Sequence, residues 1–437
     1  GVFAAKSAVK ICEALIAGEV YDMSDDIQEM RELREADRLG PSTGSIVAEA
    51  EARGIPWIRL NKYSLVQLGY GANQKRIQAT VTSETSSIGV ELACDKEDTK
   101  YLLEQAEVDV PRGDIIRRER SLKDACKYVG YPLVIKPVDG NHGRGITVNI
   151  QNYDTALVAF NHAKESSKSG AIIVEKFIIG EDYRLLVINN VFVAGAIRTP
   201  AHIIGDGKST IQELIDIVNS DSRRGFGHEN VLTKITTNEL TINIIKDAGY
   251  TLESVISADE RLILKDTANL STGGTAEDIT DIIHPANVSM VERISKIIDL
   301  DICGIDIMTT DISKPLSETG GAVLEVNAGP GFRMHLAPTT GLPRNVAGPV
   351  IDKLFPKKGD TGRIPIIATS GTNGKTTTTR LIAHIAKMNG YRVGYTTSDG
   401  VYIQNRLLMT GDCTGPTSAE FVLKDPTVNF AVLECAR

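Results

Sequence analysis

The run Gly371-Thr-Asn-Gly-Lys-Thr-Thr377 places glycines, a lysine and hydroxyl side chains in the order of a phosphate-binding loop. It lies between an apolar strand pattern, IPIIAT, and a helical pattern that begins near the lysine. Backbone N–H groups of such a loop face a phosphate, Lys375 meets its outer oxygens, and the Thr376 hydroxyl holds Mg²⁺. A glycine-rich turn that only caps a helix is the alternative. The predicted nucleotide-contacting residues are Gly371, Asn373, Gly374, Lys375, Thr376 and Thr377.

The loop departs from the common pattern at Thr369, since that pattern has glycine six residues before the lysine. The GTNGKTT form resembles the ATP loop of the Mur ligase family, whose members make amide bonds on bacterial cell-wall precursors. The strand AVLEC is similar to part of that family's Mg²⁺ site. This resemblance implies that Glu434 is a metal ligand beside Thr376, and an ordinary buried strand end is the alternative.

A second set of chemistry-bearing residues lies upstream, in segments that follow one another between residues 95 and 327. The segments are DKEDTK, PLVIKP, DGNHGRG, VEKFI with GEDYR, CGID and LEVN. Their order and spacing resemble the ATP-grasp superfamily. No single segment is specific, and the resemblance rests on their succession.

The ATP-grasp resemblance implies lysines at the phosphates, a glycine-rich loop over the γ-phosphate, a hinge that reads adenine and ribose, and oxygen ligands for Mg²⁺. The phosphate-binding and catalytic residues would be Lys100, Lys136, His142, Gly143, Arg144, Gly145 and Arg184. The hinge residues would be Glu175, Lys176, Ile178, Glu181 and Asp182. The metal ligands would be Asp306, Glu325 and Asn327. For Lys100 and the loop residues, plain solvent exposure is the alternative.

Some of these residues also stand out on physical grounds alone. Lys136 ends an apolar run, and lysine is almost never buried without a partner. The alternation of DYRLLVI points Arg184 inward, where a charge needs an anionic partner. Glu325 and Asn327 are two residues apart and therefore share one face of a strand.

Three segments of the chain differ in their sequence patterns, which predicts a multi-domain protein of the α+β and α/β classes. Residues 1–92 mix helical and short alternating patterns, which favours a small α+β domain. Residues 93–355 alternate β-branched runs with helices and predict antiparallel sheets backed by helices, here the ATP-grasp domain. Residues 356–437 read as strand, helix and strand, typical of a parallel α/β domain of the Mur ligase type. An insertion at 205–259 is polar and contains glycine, which predicts a lid with little hydrophobic core.

Composition excludes several classes of protein. With 48 Lys and Arg against 56 Asp and Glu, the formal net charge is −8, which argues against nucleic acid as a partner. Six cysteines without a CxxC pair predict neither zinc nor disulfides and favour a reducing cytoplasm. Since no apolar run approaches the roughly 18–20 residues that span a bilayer, no membrane role is predicted. A helical pattern that begins at Gly1 and a final strand pattern, NFAVLECAR, predict truncation at both ends.

The order of the two nucleotide units, with GPSTGSIVAEAEARGIPWIRL, ANLSTGG and TSDGVYI, resembles the cyanophycin synthetase family. Such enzymes polymerise aspartate through α-amides and attach arginine to each β-carboxylate. The resemblance implies ATP and Mg²⁺ as cofactors; aspartate, arginine and a growing Asp-Arg polymer as substrates; and a homo-oligomer. The ATP-grasp unit would add aspartate and the Mur-like unit arginine, each through an acyl phosphate. Ser42 and Thr43 are candidates to reach the first site, the alternative being a turn before a helix N-cap at Ser45.

Two other functions are alternatives to this one. A glutathione-type bifunctional ligase also has an ATP-grasp half with a similar ANLS segment, but it gives no reason for GTNGKTT. A nucleotide-binding scaffold without catalysis would not need metal-binding carboxylates, so Asp306, Glu325 and Asn327 together argue against it.

Overall fold

The computed structural model describes residues 1–139, 145–225, 231–265 and 267–436. The helices are α1 (Val2–Ala17), α2 (Ser24–Asp37), α3 (Pro41–Ala52), α4 (Ser87–Cys94), α5 (Lys96–Gln105), α6 (Leu122–Val129), α7 (Tyr153–Ser166), α8 (Ile211–Asn219), α9 (Glu239–Asp247), α10 (Pro285–Ile298), α11 (Leu316–Thr319), α12 (Arg333–Leu336), α13 (Ala347–Leu354), α14 (Lys375–Met388) and α15 (Pro416–Lys424).

The strands are β1 (Trp57–Arg59), β2 (Leu65–Leu68), β3 (Lys75–Gln78), β4 (Val81–Thr82), β5 (Gly113–Ile116), β6 (Leu133–Pro137), β7 (Thr147–Ile150), β8 (Ile172–Lys176), β9 (Glu181–Ile188), β10 (Val191–Thr199), β11 (His202–Ile204), β12 (Arg224–Gly225), β13 (Leu232–Thr233), β14 (Arg261–Ile263), β15 (Thr275–Asp278), β16 (Ile302–Thr309), β17 (Ala322–Ala328), β18 (Ile366–Thr369), β19 (Val393–Thr397), β20 (Gly400–Ile403), β21 (Arg406–Thr410) and β22 (Phe430–Glu434).

The chain folds into two compact units. The central unit is Thr80–Lys358, and the composite unit joins Gly1–Ala79 to Gly359–Arg437. The boundaries predicted from the sequence, after residues 92 and 355, therefore lie close to those of the compact units but do not coincide with them. The assignment of 1–92, 93–355 and 356–437 as separate domains stays a prediction.

The two largest sheets of the central unit are antiparallel, as the alternating runs predicted. One has the order β5-β8-β6-β7 and the other β15-β10-β9-β16-β17. Along β6, Leu133 and Ile135 are fully buried against α6 and α7, so the period of two turns Val134 and Lys136 to the opposite face. In the larger sheet, the side chains on one face, such as Leu185 and Ile305, pack on α10. Each sheet is thus left with one face on which polar side chains collect.

The insertion has a hydrophobic core, which it shares with the segments that flank it, so the prediction of little core is wrong. Ile211, Ile215 and Ile245 of the insertion are almost completely buried together with Ile203 and Leu264 of the flanks. The helix α8 begins with a capping box, in which the Thr210 hydroxyl accepts from the Glu213 N–H while the Glu213 carboxylate accepts from the Thr210 N–H. The polar residues of the insertion lie on the surface. Its β-branched residues are widely spaced in the sequence, so composition alone did not reveal the core.

The composite unit is built around the sheet β18-β22-β19-β20-β21, in which β22 pairs in parallel with β18 and with β19. This confirms the predicted parallel α/β arrangement. The N-terminal sheet β1-β2-β3 packs against it through main-chain bonds: the Ala72 N–H donates to Val428 O at 2.7 Å, and the Tyr70 N–H donates to Gly362 O at 2.8 Å. Residues far apart in sequence therefore share one core.

The helix α3 begins at Pro41, four residues before the N-cap considered at Ser45. Proline fits the first helical position because its missing N–H would have no partner there. The Ser45 hydroxyl instead donates to the Ser42 carbonyl within the helix, at 2.8 Å. That N-cap alternative is therefore wrong, and Thr43 is buried in the composite unit.

Candidate nucleotide sites

Two lysines of the central unit share one buried carboxylate. Asp95 caps α5 by accepting from the N–H groups of the next turn, which places Lys100 on the helix one turn in. Lys136 forms a short ion pair with Glu175, and the Lys100 ammonium lies 3.8 Å from the other oxygen of the same carboxylate. Burial lowers the pKa of Lys100. The hinge role predicted for Glu175 concerns main-chain groups and stays a prediction, while its side chain holds the two predicted phosphate-binding lysines together.

A row of charged side chains crosses the larger sheet. Arg184 on β9 lies opposite Asp306 on β16, which in turn lies opposite Glu325 on β17. The Arg184 guanidinium binds the Asp306 carboxylate through two hydrogen bonds, one of 2.9 Å. Gly304 leaves the room for this, since a Cβ there would come within 2.9 Å of the Arg184 Nη1 atom. The predicted inward direction of Arg184 and its need for an anionic partner are confirmed.

A further arginine, absent from the residues predicted from the sequence, binds the same Asp306 carboxylate. Arg198 on β10 lies 3.0 Å from Asp306 and 2.6 Å from Asp182. Burial alone would raise the pKa of the Asp306 carboxyl, but Arg184 and Arg198 outweigh it and hold that pKa below its usual range. Burial raises the pKa of Asp182 despite Arg198. A charged residue in the strand pattern VFVAGAIRT was the signal that could have revealed Arg198.

These side chains line a cavity of about 670 Å³, within the usual size range of small-molecule sites. Its walls include Lys96, Lys136, Glu175, Lys176, Ile178, Asp182, Arg184, Arg198, Asp306, Glu325 and Asn327. The structure therefore brings most of the predicted central-unit residues together. Lys100 lies in a smaller adjoining pocket, again beside Lys96 and Glu325. Lys96, the second missed cation, precedes Lys100 by one helical turn, and this spacing could have revealed it.

The remaining predicted residues of this unit contribute less directly to the cavity. The Lys176 ammonium turns away to the Tyr131 carbonyl at 2.5 Å, which leaves the rest of the residue to line the cavity. Glu181 is exposed at the start of β9. Gly145 adopts a positive φ of 71°, which suits glycine. His142, Gly143 and Arg144 lie outside the described residues.

The predicted metal ligands fit Mg²⁺ unequally. Glu325 and Asn327 project from alternate positions of β17 into the cavity and offer the hard oxygens that Mg²⁺ prefers. The Asp306 carboxylate is already neutralised by two guanidiniums, so it would have to share an oxygen with a metal ion. Among the described residues, no group of three or more His, Cys, Asp or Glu side chains could hold a metal. A cation here would need the amide, phosphate oxygens or water as further ligands.

The second candidate site lies where β18 leads into α14 in the composite unit. Gly374 takes the positive φ of 79° that lets the loop turn into the helix, and the Lys375 ammonium donates to the Gly371 carbonyl at 3.0 Å. Asn373 on this loop and Thr377 in the first turn of α14 are exposed. The Thr376 hydroxyl lies 2.9 and 3.1 Å from the two oxygens of Glu434 at the end of β22. The predicted pair of Thr376 and Glu434 is thus formed.

The structure gives a reason for the unusual Thr369. Its hydroxyl is hydrogen-bonded to that of Thr379 in α14, and both side chains are buried. The bond connects the end of β18 directly to the helix that follows the loop. Where the common pattern has glycine, this chain has a polar contact beneath the loop.

Two known protein families match segments of the chain that carry parts of the candidate sites. Residues 93–211 match the RimK-like ATP-grasp domain, and residues 369–437 match the Mur ligase middle domain. Cyanophycin synthetases from Synechocystis sp. and Trichormus variabilis are each 54% identical to the chain over 100% of its length, and the chain covers 50% and 49% of these proteins. It thus spans about half the length of the curated relatives it matches. These similarities confirm the predicted fold class.

Glutathione enzymes are similar to a smaller part of the chain. A glutathione biosynthesis bifunctional protein from Clostridium perfringens is 31% identical over 72% of this chain and 41% of its own length. The crystal structure of a bifunctional glutathione synthetase from Pasteurella multocida superposes with a TM-score of 0.58 at 28% identity, over 76% of this chain and 45% of that one. Among the described residues, no helix combines the length and apolarity that a membrane crossing needs.

Proposed function

We propose, from the relationship of this chain to the cyanophycin synthetases along its whole length, that it provides the two ATP sites of a ligase that builds an Asp-Arg polymer. The observation that carries the proposal is 54% identity over the full chain, together with matches to an ATP-grasp domain and a Mur ligase middle domain in that order. The proposed substrates are ATP, aspartate, arginine and an acceptor oligomer. A homo-oligomer and a cytoplasmic location stay predictions.

The central unit adds aspartate in this proposal. ATP phosphorylates the carboxylate at the end of the acceptor, and the aspartate amine attacks the resulting acyl phosphate, releasing phosphate and forming an α-amide. Lys100 and Lys136 are held at one end of the site by Glu175 and bind the phosphates of ATP. Arg184 and Arg198 lie on the other sheet and stabilise the charge that spreads over the transferred phosphoryl group. Mg²⁺ held by Glu325 and Asn327 would neutralise phosphate charge.

The phosphate loop of the composite unit serves the second bond. The β-carboxylate of the new aspartate is phosphorylated and then attacked by arginine, again with loss of phosphate. Lys375 and the loop N–H groups bind the triphosphate, while Thr376 and Glu434 would hold its Mg²⁺. Support for this assignment comes from the Thr376–Glu434 contact and from the family match over 369–437.

One experiment tests the function. The chain is incubated with ATP, Mg²⁺ and an Asp-Arg oligomer, with aspartate, arginine or both, and the products are weighed by mass spectrometry. We expect one added aspartate per acceptor end and ADP formation that depends on aspartate. A parallel reaction contains γ-glutamylcysteine and glycine, the precursors of glutathione. Glutathione formation in place of aspartate addition would favour the hypothesis of a glutathione-type ligase. ATP binding without any turnover would favour a nucleotide-binding scaffold.

A further inference from the structure

Ser398 lies immediately after β19 and contacts both members of the predicted metal pair. Its hydroxyl is 3.1 Å from the Thr376 hydroxyl, and its N–H donates to a Glu434 oxygen at 3.2 Å. The strands β19 and β22 are parallel neighbours, so their carboxyl ends bring Ser398 and Glu434 to the same edge of the sheet. None of the roles assigned above uses this serine.

Glu434 is a buried carboxylate whose charge has no cationic partner among the described residues. It is only 3% exposed, and its described donors are the Thr376 hydroxyl and the Ser398 N–H, both neutral. An ionised carboxylate removed from water needs a compensating positive charge, as Asp306 receives from two arginines. A divalent cation fits this requirement, because the carboxylate and the hydroxyls beside it are hard oxygen ligands.

The available protons define how the two hydroxyls are arranged. Thr376 has one hydroxyl proton, and a carboxylate is a stronger acceptor than a hydroxyl, so this proton goes to Glu434. Ser398 then donates its own proton to the Thr376 oxygen. One lone pair of that oxygen is occupied by this bond, and the other is left in a fixed direction for a cation.

The turn that carries Ser398 is held on both sides. The Thr397 hydroxyl donates to Asp399 at 2.6 Å, and Asp399 forms a short ion pair with Arg380 of α14. Arg380 is one helical turn beyond Thr376. The turn is therefore tied to the same helix face that presents the Thr376 hydroxyl.

We propose that Ser398 is a positioning residue for the divalent cation of the second nucleotide site, acting by orienting the Thr376 hydroxyl and the Glu434 carboxylate. This inference rests on the proposed nucleotide site of the composite unit. Ser398→Ala removes the hydroxyl but keeps the N–H bond to Glu434, so it isolates the contact with Thr376.

The test measures metal binding rather than turnover. All variants carry Lys136→Met, which weakens the first site, so that nucleotide binding reports the second. Mn²⁺ is titrated in the presence of a non-hydrolysable ATP analogue and followed by electron paramagnetic resonance, and binding of the analogue is also measured in EDTA. Ser398→Ala should weaken Mn²⁺ binding about three- to tenfold, the range for one lost hydrogen bond, with less than a twofold change in EDTA. Ser398→Thr should restore the affinity, and Ser418→Ala in α15 should not change it.

Two outcomes would overturn the inference while leaving the nucleotide site intact. One is unchanged Mn²⁺ affinity in Ser398→Ala, and the other is an equal loss of analogue binding with and without metal, which would mean a purely structural role. The proposed site itself is checked by Lys375→Ala. If this change leaves binding of the analogue unaltered, the second nucleotide site is wrong and the role of Ser398 with it.

Discussion

At the scale of single residues, the central unit contains a lysine whose environment explains its position in an apolar run. Lys136 is directed away from the core by the strand period and is neutralised by Glu175. Its ammonium is therefore available at the cavity without the cost of an unpaired buried charge.

Lys136→Met should reduce aspartate-dependent ATP turnover at least tenfold, equivalent to about 1.4 kcal/mol or more of lost transition-state stabilisation. The methionine keeps most of the side-chain volume and leaves the Glu175 charge without its nearest partner. ADP release with aspartate and acceptor measures the effect, and Lys123→Met, on the exposed face of α6, serves as the control. Retention of more than a tenth of the turnover would remove Lys136 from the site.

His335 makes a second prediction at this scale. It is 2% exposed, and neither ring nitrogen has a hydrogen-bond partner among the described residues. Burial, with Arg184 nearby, lowers its pKa to about 3. Because the unfolded chain binds this proton near pH 6.5 and the folded chain only near pH 3, the contribution to stability is complete above pH 6.5 and is lost as the pH falls towards 3.

Lowering the pH from 6.5 to 5 should therefore reduce the free energy of unfolding by about 2 kcal/mol through His335 alone, at about 1.36 kcal/mol per pH unit. His335→Gln should flatten the pH dependence of the unfolding midpoint of the central unit, followed by circular dichroism. His384→Gln on α14 is the exposed control and should leave the slope as it is. An unaltered slope in His335→Gln would contradict the assignment.

At the scale of elements, the insertion shows why composition was a poor guide. The isoleucines and leucines of α8 and α9 share a core with those of the flanking strands β11 and β14, and these elements meet only when the chain has folded. The helix α8 carries one buried and one exposed isoleucine two positions apart: Ile215 is 1% exposed and Ile217 is 58% exposed.

This pair provides a matched test. Ile215→Ala should destabilise the insertion by roughly 2–5 kcal/mol, and Ile217→Ala should change it by no more than about 0.5 kcal/mol. Amide hydrogen exchange within the insertion measures both. Similar exchange in the two variants would mean that this core does not hold the segment. Slower exchange on adding nucleotide is the further expectation for a lid.

The same scale shows what the sequence could and could not predict. Residues close in sequence were predicted well: the phosphate loop between β18 and α14, and the Glu325–Asn327 pair on one strand. The contact of Glu175 with both lysines and the participation of Arg198 depend on which strands pair, because β8 joins β6 and β10 joins β9. No local pattern contains that information. The joining of residues 1–79 with 359–437 was missed for the same reason.

At the scale of the whole molecule, the composite unit joins residues 1–79 to residues 359–437, which carry the phosphate loop. Gly71 has a positive φ of 56°, and a side chain there would collide with the Val428 carbonyl. Gly54 has a similar backbone, with φ of 74°, but an added Cβ would be 3.9 Å from its nearest described neighbour. The two glycines separate backbone strain from loss of the contact.

Gly71→Ala should lower the unfolding midpoint of the composite unit clearly more than Gly54→Ala, which carries only the strain of the left-handed conformation, about 1 kcal/mol. Trp57, the one tryptophan of the chain, lies in this unit, so its fluorescence reports the transition. Nucleotide binding that depends on Lys375 should weaken in parallel in Gly71→Ala. Equal midpoints in the two variants would show that the segments fold independently.

The bond between Thr369 and Thr379 makes two positions of the phosphate loop unit interdependent. Glycine at 369 alone would leave the buried Thr379 hydroxyl without its partner, and alanine at 379 alone would do the same to Thr369. The double change removes both hydroxyls, so its effect should be smaller than the sum of the single changes, with a coupling energy of about 0.5–3 kcal/mol. Thr369 and Thr379 therefore depend on each other. Replacing Thr369 alone by the glycine of the common motif should lower the free energy of unfolding.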